Sequence, residues 1–102
     1  CHDKSDLEKA IKAEAWIFGI NNRNLHDFTI DMGNTKTLLS YGIIPQNSLI
    51  VSESGISTYK QVKELSKLGV NAILVGEALM DYKSNPTLKD VSKKVNELIG
   101  RI

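Results

Sequence analysis

The sequence predicts an α/β protein built on a parallel sheet, and three observations carry that prediction. Short apolar, β-rich runs at residues 16–20, 49–51 and 72–75 alternate with segments patterned at the helical period. Strict strand–helix alternation is the mark of a parallel sheet with helical crossovers. Each run also turns abruptly polar or glycine-bearing at its end, as Asn21-Asn22-Arg23, Ser52-Glu53-Ser54-Gly55 and Gly76-Glu77. In parallel α/β proteins ligands bind at that end of the strands.

The elements follow in order. Ser5-Asp6-Leu7-Glu8 has capping-box spacing, and Leu7, Ala10 and Ile11 make one apolar face, so a helix is expected from about Asp6 to Ala13. Trp16 to Ile20 is a strand apolar on both faces, as suits a parallel strand covered on both sides. Asn21 to Asp31 is a long polar loop carrying Arg23, His26 and Phe28, of a length that is functional or loosely ordered. Met32 to Tyr41 reads as a helix with Asp31 near its N-cap, Leu38 and Leu39 inward, and Gly42 placed to end it.

Pro45 to Ser48 is a turn into the Leu49 strand. Thr58-Tyr59-Lys60-Gln61 offers a second capping box, followed by the stripe Tyr59, Val62, Leu65, Leu68 and a terminating Gly69. Ala72 to Val75 is a short buried strand, and Gly76 to Met80 has room for a single helical turn. Asn85-Pro86 is an N-cap followed by proline at the first helical position. The last helix places Leu88, Val91, Val95, Leu98 and Ile99 on one face, and Lys89, Lys93 and Lys94 on a solvated one.

Composition narrows the function classes. The chain has 102 residues, 41% hydrophobic and 25% charged, with a formal net charge of +1. That balance gives no basic field for nucleic acid or for a membrane surface. No apolar run approaches the roughly 20 residues of a spanning helix, and no signal peptide is visible. The lone Cys1 cannot form an internal disulfide, which fits a cytoplasmic location. Cys1-His2-Asp3 lacks an initiator Met and runs almost directly into a helix start, so a chain cut from something longer is expected. Three strands cannot close a barrel, since eight strands take roughly 250 residues.

If the sheet is parallel and in sequence order, the three strand ends lie side by side. They would bring together Asn21 and Arg23, then Glu53, Ser54 and Gly55, then Gly76 and Glu77. Glycine turns with free amides, a hydroxyl and a guanidinium suit an anion such as phosphate. Singly, each piece is ordinary: a glycine after a strand is usually a turn, and a loop arginine a solvated charge. Their recurrence at equivalent strand ends is what points to a site. His2 and His26 lack metal-ligand spacing, and Cys1 has no activating base nearby in sequence.

Three motifs together resemble the closing strands of indole-3-glycerol phosphate synthase: Gly19-Ile20-Asn21-Asn22-Arg23-Asn24-Leu25, Val51-Ser52-Glu53-Ser54-Gly55-Ile56 and Leu74-Val75-Gly76-Glu77-Ala78-Leu79-Met80. Cys1-His2-Asp3 resembles the end of that family's fifth strand. The resemblance runs over essentially the whole chain. It implies a TIM (β/α)8 barrel with parallel strands, of which residues 1–102 form a single incomplete segment, about the last three βα units at the C-terminal end. It implies a carbon–carbon lyase of tryptophan biosynthesis. That enzyme closes the indole ring of 1-(2-carboxyphenylamino)-1-deoxyribulose 5-phosphate, with loss of carbon dioxide and water and with no cofactor or metal.

By that resemblance Asn21 holds polar groups of the substrate near the reacting centre, and Glu53 contacts the substrate there. Arg23 supports the phosphate side. Ser54, Gly55, Gly76 and the backbone amide of Glu77 line the phosphate site, and Leu74 packs on the aromatic part. The family's catalytic lysines, on its first and third strands, and its essential glutamates, on its first and fifth, have no counterpart in this chain. Some members carry a small hydroxyl residue where Glu77 stands here. The isolated chain is therefore expected to be inactive and, with two open sheet edges, to self-associate. Two other readings remain open: another phosphate-binding barrel enzyme, and a non-catalytic half-barrel module for binding or assembly.

Overall fold

The computed structural model describes residues 1–76, Leu79 and residues 88–100. Three strands, β1 (Ile17–Asn21), β2 (Leu49–Glu53) and β3 (Ala72–Leu74), form one parallel sheet in the order β1-β2-β3. Helices α1 (Lys4–Lys12), α2 (Asn34–Ser40), α3 (Tyr59–Lys67) and α4 (Leu88–Leu98) alternate with them. The predicted alternation and parallel sheet are both present. The expected Asn85-Pro86 cap lies outside the described residues.

The core sits on one face of the sheet only. Leu7 of α1, Phe18 and Ile20 of β1 and Leu38 of α2 are almost wholly buried together, with Ile50 packed against them. Each such side chain contributes about 1.5–3 kcal/mol by leaving water. No described element covers the opposite face. Because side chains alternate along a strand, register sets three rows on that face: Ile17 beside Leu49, then Gly19, Val51 and Ala72, then Asn21, Glu53 and Leu74. Ile17, Leu49 and Leu74 are 50%, 43% and 62% exposed. Among the described residues the strands are thus covered on one side only, and the second apolar face is the one that a complete barrel would enclose. Ile20 belongs to the helix side, whereas Val51 stands in an open row.

Helix α1 begins earlier than its spacing predicts. The box is Asp3 with Asp6, in place of Ser5 with Glu8: the Asp6 amide donates to Asp3 Oδ1 (2.8 Å), and the Asp3 amide donates back to Asp6 Oδ2 (3.4 Å). Aspartate is a strong N-cap, and here the His2 amide also finds Asp6 Oδ2, at 3.0 Å. That amide, helped by the one from Asp3 and opposed by burial, holds the Asp6 carboxyl below its ordinary pKa.

Helix α2 starts two residues later than predicted. Asp31 Oδ1 accepts from the Gly33 amide (2.9 Å), an Asx turn that spends the capping side chain before the helix begins. Helix α3 carries the predicted Thr58–Gln61 box, and Gly69, at φ +92°, ends it in the left-handed region. At the far end of the chain Gly100 lies against the Tyr59 ring, leaving no space there for a Cβ.

The loop from 22 to 33 is ordered by its own bonds. Arg23 and Ile30 form an antiparallel bridge, the Asn24 amide donates to the Thr29 carbonyl (2.8 Å), and Arg23 Nη1 donates to the Phe28 carbonyl (3.2 Å). Asp27 Oδ1 accepts both the amide and the hydroxyl of Thr29, which keeps that carboxyl below its usual pKa.

Candidate active site

The C-terminal row of the open face joins three of the residues singled out from sequence. Asn21, Glu53 and Leu74 stand next to one another across the sheet. One step further along the chain, Arg23, Ser54, Gly55 and Gly76 surround the same pocket, of about 440 Å³, which Ile56 and Val75 complete. Glu77 lies outside the described residues. So does the predicted helical turn, apart from Gly76 and Leu79, whose amide donates to the Gly76 carbonyl at 3.0 Å.

Hydrogen bonds fix the orientation of Asn21. Its Oδ1 accepts from the Arg23 amide (2.9 Å) and from the Ser54 hydroxyl (2.7 Å). A backbone amide can only donate, so the carbonyl oxygen must be on that side. The Nδ2 group then has no partner among the described residues. The main chain of Asn21 is held too: its carbonyl accepts from Asn34 Nδ2 (3.0 Å) and from His2 Nδ1 (3.0 Å). Cys1 lies alongside β1 like a strand residue, its terminal nitrogen donating to the Gly19 carbonyl and its own carbonyl accepting from the Asn21 amide.

Gly19 makes room for Glu53. A Cβ built at Gly19 would stand 2.9 Å from Glu53 Oε2, so the carboxylate lies over the glycine backbone on the open face. The turn after β2 is shaped by two successive positive φ angles, +73° at Ser54 and +79° at Gly55. The Gly55 amide donates to no described residue. No three His, Cys, Asp or Glu side chains converge as a metal site among the described residues.

The turn gives a direct stability prediction. At Gly55 a side chain must accept a positive φ, and its Cβ would run into Met32 Sδ and stand 2.7 Å from Ile30 Cγ2. The left-handed conformation alone costs a non-glycine residue roughly 1–2 kcal/mol. Gly55→Ala should therefore lower the urea midpoint by the equivalent of about 1–3 kcal/mol. An unchanged midpoint would show that the turn is not the one described.

The model of the indole-3-glycerol phosphate synthase family matches residues 1–98. The chain belongs to that family. It is 47% identical over 96 residues to the indole-3-glycerol phosphate synthase of Campylobacter concisus, covering 94% of this chain and 35% of that one. It is 48% identical over 79 residues to the Clostridium kluyveri protein of the same name, covering 78% of this chain and 29% of that one. It is also similar to the tryptophan biosynthesis protein TrpCF of Buchnera aphidicola subsp. Diuraphis noxia, 50% identical over 82 residues, 80% of this chain and 17% of that one. The chain thus spans about a third or less of the length of the curated relatives it matches. The family's fold is a TIM barrel, and the parallel three-stranded sheet is a segment of one.

Three residues that the sequence did not single out as site residues lie directly behind this pocket. Asn22, Thr35 and Ser52 have no exposed surface and bond to one another. Two signals were available in the sequence: the Asn21-Asn22 doublet at a strand end, and the strand alternation that turns Ser52 away from Glu53.

Proposed function

We propose that this chain carries the phosphate-gripping part of an indole-3-glycerol phosphate synthase site and works as part of a complete barrel that closes the indole ring. The observation that supports this best is the single pocket shared by the ends of β1, β2 and β3. In this reading the amides of Gly55 and Gly76 and the guanidinium of Arg23 receive the phosphate, and Glu77 adds its backbone amide. Asn21 Nδ2 donates to polar groups of the substrate beside the reacting carbon. Glu53, over Gly19, faces the same centre, and Leu74 offers an apolar surface to the aromatic ring. The reaction so assigned is a decarboxylating carbon–carbon lyase step of tryptophan biosynthesis, with no cofactor.

Titrating inorganic phosphate into the labelled chain tests this. Amide shifts are expected at Ser54, Gly55 and Gly76, and Arg23→Ala should weaken binding by about 1.5–3 kcal/mol at most, the range for a hydrogen bond to a charged group. Shifts confined to other parts of the chain would remove the phosphate assignment.

A further inference from the structure

Asn22, Thr35 and Ser52 come from three different parts of the chain, the loop just after β1, α2 and β2, and none of them lines the pocket. Proton counting fixes the direction of their bonds. Thr35 Oγ1 donates its only proton to Asn22 Oδ1, at 2.9 Å. Its 2.8 Å contact with Ser52 Oγ must then have Ser52 as the donor. Ser52 in turn accepts from Asn22 Nδ2, at 3.2 Å. The result is a closed ring in which each hydroxyl donates once and accepts once. The second Nδ2 proton leaves the ring and goes to the Ser54 carbonyl, at 3.0 Å. That carbonyl can only accept, so the orientation of the Asn22 amide is determined. Its backbone is anchored as well: the Asn22 amide donates to the Glu53 carbonyl (2.8 Å), and its carbonyl accepts from the Asp31 amide (2.8 Å).

We propose that Asn22 is a positioning residue, held by the Thr35–Ser52 ring, that fixes the Ser54–Gly55 turn in the shape the pocket requires. A buried polar ring gains little stability over apolar side chains of the same shape. What such a ring does supply is a definite geometry. Here its one outward bond ends on Ser54, a non-glycine residue at φ +73° whose turn presents the Gly55 amide. The link from this turn to a ligand rests on the phosphate reading above; the link from the ring to the turn does not.

The experiment uses the labelled 102-residue chain and three substitutions outside the pocket. Asn22→Asp keeps the shape but leaves no donor when ionised and one when protonated, in place of the two Nδ2 protons, so it is compared above and below the titration of the new carboxyl. Thr35→Val opens the ring, and Thr35→Ser restores its hydroxyl. Asn22→Asp and Thr35→Val should change the φ-dependent coupling of Ser54 and move the Ser54 and Gly55 amides, and Thr35→Ser should return both to their original values. Inorganic phosphate should bind roughly fivefold to tenfold more weakly to the first two, the size of one neutral hydrogen bond, and normally to the third.

An unmoved turn in folded Asn22→Asp or Thr35→Val overturns the proposal, whatever the phosphate affinity. A turn that moves in a chain that never binds phosphate upholds the role of Asn22 and removes the phosphate assignment instead. If the substitutions prevent folding, the unsubstituted chain still decides. Slowly exchanging Asn22 side-chain amide protons support the ring, and freely exchanging ones overturn it.

Discussion

The purified 102-residue chain should form indole-3-glycerol phosphate no faster than the uncatalysed reaction. Ring closure with loss of carbon dioxide and water needs protons delivered to and taken from specific atoms. In the family that this chain resembles, the groups that move them are lysines on the first and third strands and glutamates on the first and fifth. Among the described residues, the pocket here has Arg23 and Glu53 as its only ionisable lining groups. Arginine stays protonated at working pH and is a poor acid or base. Each positioned acid or base is worth typically 10²–10⁴ in rate, so a chain assayed without several of them is expected to lack the chemistry. Turnover should fall by at least about 10⁴-fold relative to a complete relative assayed alongside. Product formation by mass-verified chain, well above the buffer rate and abolished by Glu53→Gln, would overturn this and assign the chemistry to Glu53.

The sheet was legible because its signals are redundant. Three apolar runs, each followed by a polar or glycine turn, leave few other arrangements, and parallel order brings the strand ends side by side; that Asn21, Glu53 and Leu74 share one row is set by the register. The first helix cap was not legible, because Asp3–Asp6 and Ser5–Glu8 have the same spacing. The choice between them depends on His2, whose amide is satisfied by Asp6 and whose ring meets the Asn21 carbonyl. Both contacts bring the start of the chain against β1, and no local pattern encodes that. The buried ring was hidden for a related reason. Asn22, Thr35 and Ser52 are 13 to 30 residues apart in pairs, and each is an ordinary loop, helix or strand residue until the fold brings them together. Apolar character on both faces of β1 suits a barrel strand, and among the described residues Phe18 meets a layer of helices while Ile17, equally apolar, stays half exposed.

That uncovered face leads to the second large effect, self-association of the chain in solution. Ile17 and Leu49 form an apolar row at the N-terminal end of the sheet, Trp16 beside them is 65% exposed, and Ala72 and Leu74 continue the surface toward the pocket. The helix core lies on the other side and cannot cover it. Among the described residues no strand pairs with the outer edge of β3, so a row of backbone donors and acceptors is available there for pairing. Contiguous apolar surface on a soluble chain normally marks an interface, and a two-fold pair would bury the same rows from both copies. Sedimentation across a range of concentrations should therefore show a dimer or larger species that dissociates on dilution.

Ile17→Lys offers a sharp check, because it alters the face at the end remote from the pocket. Ile17 is already half buried, so completing its burial is worth about half of the usual 1.5–3 kcal/mol, and the two-fold axis counts it twice. The substitution should weaken association by about 1.5–3 kcal/mol, roughly tenfold to a hundredfold in dissociation constant. A monomer that unfolds sharply and cooperatively at every concentration would sink the idea, since the open rows would then be stable in water without a partner.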